Sequence, residues 1–128
     1  MDAEATVNEF IKRVVSGDYG GAGELVADDL EYDNVPIGKN HGRQALVDFL
    51  GAMMKGVDEL RFDTHRQTAS GNVVMNERND RFRIGDAWVE LPVAGVFELD
   101  DAGRIVLWRD YFDIGMYQSQ MAAISKGS

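Results

Sequence analysis

Three charged residues occupy positions that strand alternation turns toward the interior. Arg78 and Asp80 are two apart in a strand-like run at 73–83, so both project from one face, separated by roughly 7 Å of rise. Val74, Asn76, Phe82 and Ile84 share that face. Asp110 falls in a later run in which Val106, Trp108, Phe112 and Ile114 take the same side. A carboxylate among such neighbours is costly unless a cation or a donor compensates it. Arginine carries its N–H groups in a rigid fork and can bridge two carboxylates. Asp80, Arg78 and Asp110 therefore read as a charge-compensated set inside an apolar cavity, with one aspartate free to keep its proton. Two carboxylates in unlike surroundings can work in opposite senses, one as acid and one as base.

Tyr32 and Asn34 share a face of a short strand near 30–35, just before Pro36. A phenol and an amide so placed can hold a water against a carboxylate. Singly, each feature has a structural explanation. A strand aspartate is often half of an ion pair, Arg78 with Asp80 could be a solvated pair, and Tyr32 and Asn34 suit a core and a turn. Together they form one inward-facing polar set on three strands. Other candidates carry less. His41 and His65 have no nucleophile or second ligand at useful spacing and read as surface or loop residues. Gly20-Gly21-Ala22-Gly23 lacks the strand before it and the Lys-Ser/Thr after it that a phosphate loop needs, so it reads as a helix-connecting turn. The absence of cysteine removes thiol nucleophiles and thiolate zinc sites. No metal or cofactor is expected.

The elements that must position these residues follow from periodicity. Ala3, Val7, Phe10, Ile11, Val14 and Val15 mark a first helix that Gly17 ends. Residues 18–27 read as a weaker, Gly-broken helical segment burying Leu25 and Val26. Leu46, Phe49, Leu50, Met53 and Met54 mark a second helix from near Gly42 to near Gly56. From residue 58 the period becomes two. Turn signals at Ser70-Gly71-Asn72, Gly85-Asp86 and Asp100-Asp101-Ala102-Gly103 divide strands at 59–69, 73–83, 87–99 and 104–114. Turns this short make neighbouring strands antiparallel. A closing helix is expected at 116–125. The fold class is α+β, with helices covering one face of a twisted sheet. Met53, Phe82, Leu91, Val93 and Phe112 face inward by the same periodicities and would wall the cavity, which implies an apolar small-molecule substrate.

With 128 residues, the chain reads as a single domain over 1–128. Its 22 Asp+Glu against 13 Lys+Arg, a formal charge of −9, disfavour a nucleic-acid partner, because phosphate neutralisation needs clustered bases. The N-terminus, MDAEATVNEF, has no cationic stretch before an apolar one. The longest uncharged apolar run, at 91–97, is far short of the roughly 20 residues of a membrane span. A soluble, cytoplasmic protein is expected.

Tyr32-Asp-Asn34-Val-Pro36, Glu77-Arg78-Asn79-Asp80, Gly95-Val-Phe97 and Trp108-Arg-Asp110-Tyr-Phe112-Asp113 resemble, in order and interval, the limonene-1,2-epoxide hydrolase family over about Val7 to Tyr117. The resemblance implies the cone-shaped fold of nuclear transport factor 2 and ketosteroid isomerase, with a curved, mostly antiparallel sheet and the N-terminal helices on its concave face. It implies a homodimer packed through the outer sheet face, where Val73 and Met75 would suit the contact. By resemblance, Asp110 is the base that activates water, Asp80 the acid that protonates the epoxide oxygen, and Arg78 the bridge. Tyr32 and Asn34 hold the water with the base. The implied reaction takes a hydrophobic, cyclic or terpene-like epoxide to a vicinal diol without cofactor or metal. The pattern departs at Asn79, where an apolar residue is frequent, at the short N-terminal arm and at the short Gly85-Asp86 turn. Two alternatives keep the fold: a ketosteroid-isomerase-like enzyme in which Asp110 removes a carbon-bound proton, and a non-enzymatic small-molecule-binding module.

Overall fold

The computed structural model describes residues 1–126, so the last two residues of the expected 1–128 domain lie outside the described residues. Helix α1 (Ala3–Val15) begins where Asp2 accepts the Ala5 N–H at 2.8 Å, a side-chain cap for an otherwise orphaned donor. It ends before Gly17, whose φ of 82° glycine adopts without strain. Between them, Val7, Phe10 and Val14 are fully buried on one stripe.

The short helix α2 (Tyr19–Gly23) follows, and then β1 (Val26–Asn34), β2 (Gly38–His41) and α3 (Arg43–Met53). The chain continues through β3 (Glu59–Ser70), β4 (Val73–Ile84), β5 (Ala87–Leu99), β6 (Ile105–Tyr111) and α4 (Ile114–Lys126). The six strands form one sheet in the order β2-β1-β6-β5-β4-β3. Every neighbouring pair is antiparallel except β1 with β6, which run parallel. The α+β class and the mostly antiparallel sheet agree with the sequence reading. No helix among the described residues is long and apolar enough to cross a membrane.

Several local readings are corrected. The helical segment expected at 18–27 is helical only over Tyr19–Gly23, and β1 starts at Val26, four residues before the expected strand. Three glycines in α2 weaken a helix that its neighbours cannot prolong. The edge strand β2 escaped notice because Gly38-Lys39-Asn40-His41 has no apolar alternation; its pairing with β1 alone makes it a strand. His41 and His65 are exposed, as expected, on β2 and on β3. The last strand stops at Tyr111, not 114, because Asp113 caps α4 by accepting the Gly115 N–H at 2.8 Å. Ile114 therefore starts a helix, and α4 begins two residues before the expected 116. At the other end of β6, a register shift between Glu98 and Leu99 turns Ile105 into the core and leaves Val106 only half-buried.

The core sits between the helices and one sheet face. In register across the sheet lie Tyr32, Trp108, Phe97 and Val74. Tyr32 stacks on Trp108 at 4.4 Å between ring centroids, and Phe97 stacks on the same indole at 5.8 Å. Phe10 of α1 meets Trp108 edge-on at 5.2 Å. This aromatic layer makes a rigid floor beneath the next row of residues, which is polar.

Candidate active site

That next row runs Asn34, Asp110, Gly95, Asn76 and Gln67 across β1, β6, β5, β4 and β3. The parallel β1–β6 pairing brings Asn34 opposite Asp110, and the Val35 N–H donates to the Asp110 carbonyl at 3.0 Å. On the outer face, Arg109 holds this pairing by donating to Asp33 at 2.9 Å and to Glu31 at 2.7 Å. The clamp lies on the opposite side of the sheet from the polar row, as alternation requires.

Arg78 extends from β4 over Gly95 to reach Asp110. A Cβ at Gly95 would lie 2.4 Å from Arg78 Nη1 and 2.9 Å from Asp110 Oδ1, so only a residue without a side chain lets the guanidinium pass. Arg78 donates from Nε and Nη2 to Asp80 at 3.0 and 2.9 Å. It donates from Nη2 and Nη1 to Asp110 at 2.9 and 3.3 Å. The arginine side chain is wholly buried, with the Phe62 ring 4.8 Å from its central carbon. The expected two-carboxylate bridge is present.

The two aspartates have unlike surroundings. Asp110 accepts a further bond from Trp108 Nε1 at 2.9 Å, so its carboxylate receives three N–H bonds from groups that can only donate. Among the described residues Asp80 receives side-chain bonds from Arg78 alone, and it opens on the apolar cavity. Burial pushes Asp80 up to about 6, against the lowering effect of the Arg78 hydrogen bond and charge and with a further rise from Asp110 and Asp63. Burial, aided by the Asp110 charge, likewise raises Tyr32, which keeps its phenol neutral and able to donate. Burial works against the Arg78 charge, but the Asp110 and Asp80 carboxylates outweigh it and keep the guanidinium protonated.

A cavity of about 490 Å³ opens in front of this set. Tyr32, Asn34, Asp80 and Asp110 line its polar end, while all five expected wall residues, Met53, Phe82, Leu91, Val93 and Phe112, line the remainder. Arg78 sits behind its two carboxylates and does not line it. Phe112 reaches the cavity from the β6–α4 junction, beyond the end of the strand that was expected to carry it. Asn79 faces the other side of the sheet, as alternation predicts. Among the described residues no group of three or more His, Asp or Glu is arranged to hold a metal ion.

The sequence profile of the limonene-1,2-epoxide hydrolase catalytic domain matches residues 1–122. The chain belongs to this epoxide hydrolase family. It is 38% identical over 108 residues to epoxide hydrolase EphG of Mycobacterium tuberculosis, a match spanning 84% of this chain and 71% of that protein. The solved structure of an M. tuberculosis LEH-like epoxide hydrolase superposes with a TM-score of 0.82 at 35% identity, covering 98% of this chain and 96% of that one. A putative SnoaL-like polyketide cyclase from Shewanella denitrificans superposes with a TM-score of 0.86 at 18% identity, covering 94% and 97%. The last likeness shows the shared cone-shaped, nuclear transport factor 2-like fold.

Within this epoxide hydrolase family member, four contributors to the site go beyond what the sequence pattern predicts. Trp108 takes the core face that alternation predicts, and its donation to Asp110 is a contact that alternation does not encode. Asn76 shares the face of Arg78 by alternation, which gives no sign of its partner; it accepts from Arg78 Nη1 at 3.0 Å. Tyr117 and Met121 of α4 also line the cavity, and their weak helical pattern gave no sign of where the helix docks. Gln120 docks it by bonding both the N–H and the carbonyl of Glu90, at 2.9 and 2.8 Å. Glu90 pairs in register with Arg81 of β4, but β6 ends before reaching this stretch of β5 and leaves its other edge to α4.

Proposed function

We propose that the chain hydrolyses hydrophobic epoxides to vicinal diols in one acid/base step, without cofactor. The observation that carries this reading is the sharing of one buried arginine by two carboxylates, Nη2 donating to each at 2.9 Å, at the polar end of an apolar cavity. Asp110, surrounded by donors, acts as base. It takes a proton from a water held with Tyr32 and Asn34, and the water oxygen attacks one epoxide carbon. The bond from that carbon to the ring oxygen breaks as Asp80 donates its proton to the leaving oxygen. Water and epoxide have then become a diol; Asp110 holds a proton, Asp80 has lost one, and exchange with solvent restores both. Proton abstraction from carbon would need only one of these carboxylates, and simple binding would need neither, so the shared arginine favours hydrolysis over both alternatives.

The apolar walls suit a compact hydrocarbon frame, and a cyclic or terpene-like epoxide fits that chemistry. We further propose a homodimer through the outer sheet face. Met75 and Tyr111 lie on adjacent rows of that face and are 50% and 48% exposed. Nearby charges, such as Arg66 with Glu77, are already paired within one chain. The dimer is tested by the mass of the protein in solution and by its fall to monomer on Met75→Glu.

Diol production from a panel of cyclic and terpene epoxides by the wild type, beside Asp110→Asn and Asp80→Asn, tests the activity. The wild type turns over at least one substrate, and each folded variant loses activity by roughly a thousandfold or more. Wild-type levels of turnover in either variant would overturn the roles given to the two aspartates.

A further inference from the structure

The Arg78 guanidinium uses all five of its N–H groups. Asp80 and Asp110 account for four, and the fifth, on Nη1, goes to Asn76 Oδ1 at 3.0 Å. Arginine has no acceptor, so Asn76 must present its oxygen to Arg78 and turn its nitrogen away. That nitrogen donates to Gln67 Oε1 at 3.2 Å. Gln67 in turn points Nε2 at α1, donating to Asn8 Oδ1 at 2.9 Å and to Glu4 Oε2 at 3.1 Å. A donor-only cation at one end and acceptor oxygens at the other thus set the direction of both amides. The chain of bonds runs from the buried site to the surface of α1.

Asn76 and Asp80 flank Arg78 along β4, two residues before it and two after. Asp80 draws the guanidinium toward the cavity, and Asn76 draws it the other way. On Nη1 the Asn76 contact, 3.0 Å, is shorter than the Asp110 contact, 3.3 Å. We propose that Asn76, oriented by Gln67, is a positioning residue that keeps the Arg78 guanidinium shared between Asp110 and Asp80. The inference rests on the acid/base reading of the site given above.

Without the Asn76 oxygen one buried N–H loses its partner, and the guanidinium can recover one only by moving. The remaining anchor on its own strand is Asp80, so it moves toward Asp80 and loosens its hold on Asp110. Asp80 is faced by Arg78 on β4, by Asp110 from β6 and by Asp63 from β3. The phenols of Tyr32 on β1 and Tyr117 on α4, and the Lys55 side chain just after α3, line the same cavity. Arg78 is the cation bonded to Asp80, so a closer guanidinium makes the acid give up its proton at lower pH. The base meanwhile loses part of its support. Both changes impair an enzyme that needs Asp80 protonated and Asp110 ionised.

The test compares the wild type with Asn76→Leu, which has similar volume and no acceptor, and with Gln67→Leu, one link further out and only half-buried. The first readout is the carboxyl-carbon NMR titration of Asp80, which needs no turnover. The second is the alkaline limb of kcat/KM on an epoxide substrate, which reports the acid in the free enzyme. Asp80 titrates about one pH unit lower in Asn76→Leu and less far below wild type in Gln67→Leu, and the alkaline limb moves with it. Folded variants whose Asp80 titrates within about 0.2 unit of wild type would overturn the proposal. So would a rate lowered equally at every pH, the mark of a merely structural role. If Asn76→Leu does not fold, Gln67→Leu decides the question alone. A wild type inactive on epoxides would sink the hydrolase reading, while the NMR titration would still decide the position of Arg78.

Discussion

Replacing Gly95 with alanine pushes a methyl carbon into the polar cluster. The added carbon lies 2.4 Å from Arg78 Nη1, 2.8 Å from Asn76 Oδ1 and 2.9 Å from Asp110 Oδ1. Ordinary contact begins near 3.4 Å, so Nη1 must retreat by roughly 1 Å and the two oxygens by about half that. Nη1 then loses its bonds to both Asn76 and Asp110, which start at 3.0 and 3.3 Å. Buried hydrogen bonds to charged groups contribute about 1.5–3 kcal/mol each. Replacing glycine within a strand returns about 0.5–1 kcal/mol of backbone entropy. The net expectation is a loss of about 2–5 kcal/mol in stability, measured by urea unfolding at neutral pH. A displacement of this size at reacting groups lowers kcat by roughly a hundredfold. Gly51→Ala is the control: it lies in α3 with nothing within 4 Å of the new carbon and gains up to about 1 kcal/mol from helix propensity. A Gly95→Ala protein within about 1 kcal/mol of wild type and fully active would refute the claim that Arg78 needs the empty space above Gly95.

Two further outcomes follow from the same geometry. Trp108→Phe keeps an aromatic ring between Tyr32 and Phe97 but deletes the indole donor to Asp110; stability falls by about 1.5–3 kcal/mol and kcat falls with it. Unchanged unfolding and unchanged kcat would show that this bond has no role. Burial pushes the Asp80 carboxyl up to about 6 in the folded protein, against about 3.9 for an ordinary aspartate, so its ionised form opposes folding most fully above about pH 6. As pH falls from 6 to about 4 this opposition is relieved, and the unfolding free energy of wild type rises relative to Asp80→Asn by as much as about 3 kcal/mol. Paired urea unfolding curves at pH 7.5 and pH 4.5 measure that change; a constant difference between the two proteins would contradict it.

The inward faces of β4 and β5 are legible in the sequence because neither strand carries a register shift between them, so Val74, Arg78, Asp80, Leu91, Val93 and Phe97 keep strict period-two spacing. Interruption is what defeated the reading elsewhere. The register shift near Leu99 exchanged Ile105 for Val106, and the Asp113 cap converted the end of an expected strand into a helix. The parallel β1–β6 pairing was hidden for a similar reason: β1 is irregular between Val26 and Glu31, and Asp28 and Asp29 mask its early alternation. Arg78, Asp80 and Asp110 are legible because inward-facing charge is conspicuous, and Tyr32 and Asn34 because two polar groups share one face just before Pro36. The hydrogen bonds from Trp108 and to Asn76 depend on where side chains from different strands meet, which no spacing along one strand encodes. The place of Gly95 beneath Arg78 likewise depends on the cross-strand register that sets Gly95 beside Asp110 and Asn76.

In the proposed mechanism, water held by Asp110 attacks the epoxide directly. A single turnover in water enriched in oxygen-18, with enzyme in excess over a cyclic epoxide, tests it most directly. Direct attack puts the label into the diol in the first turnover and none into the side chains of Asp80 or Asp110, read by peptide mass spectrometry. An unlabelled first-turnover diol with label appearing in either aspartate would show a covalent ester and contradict the account.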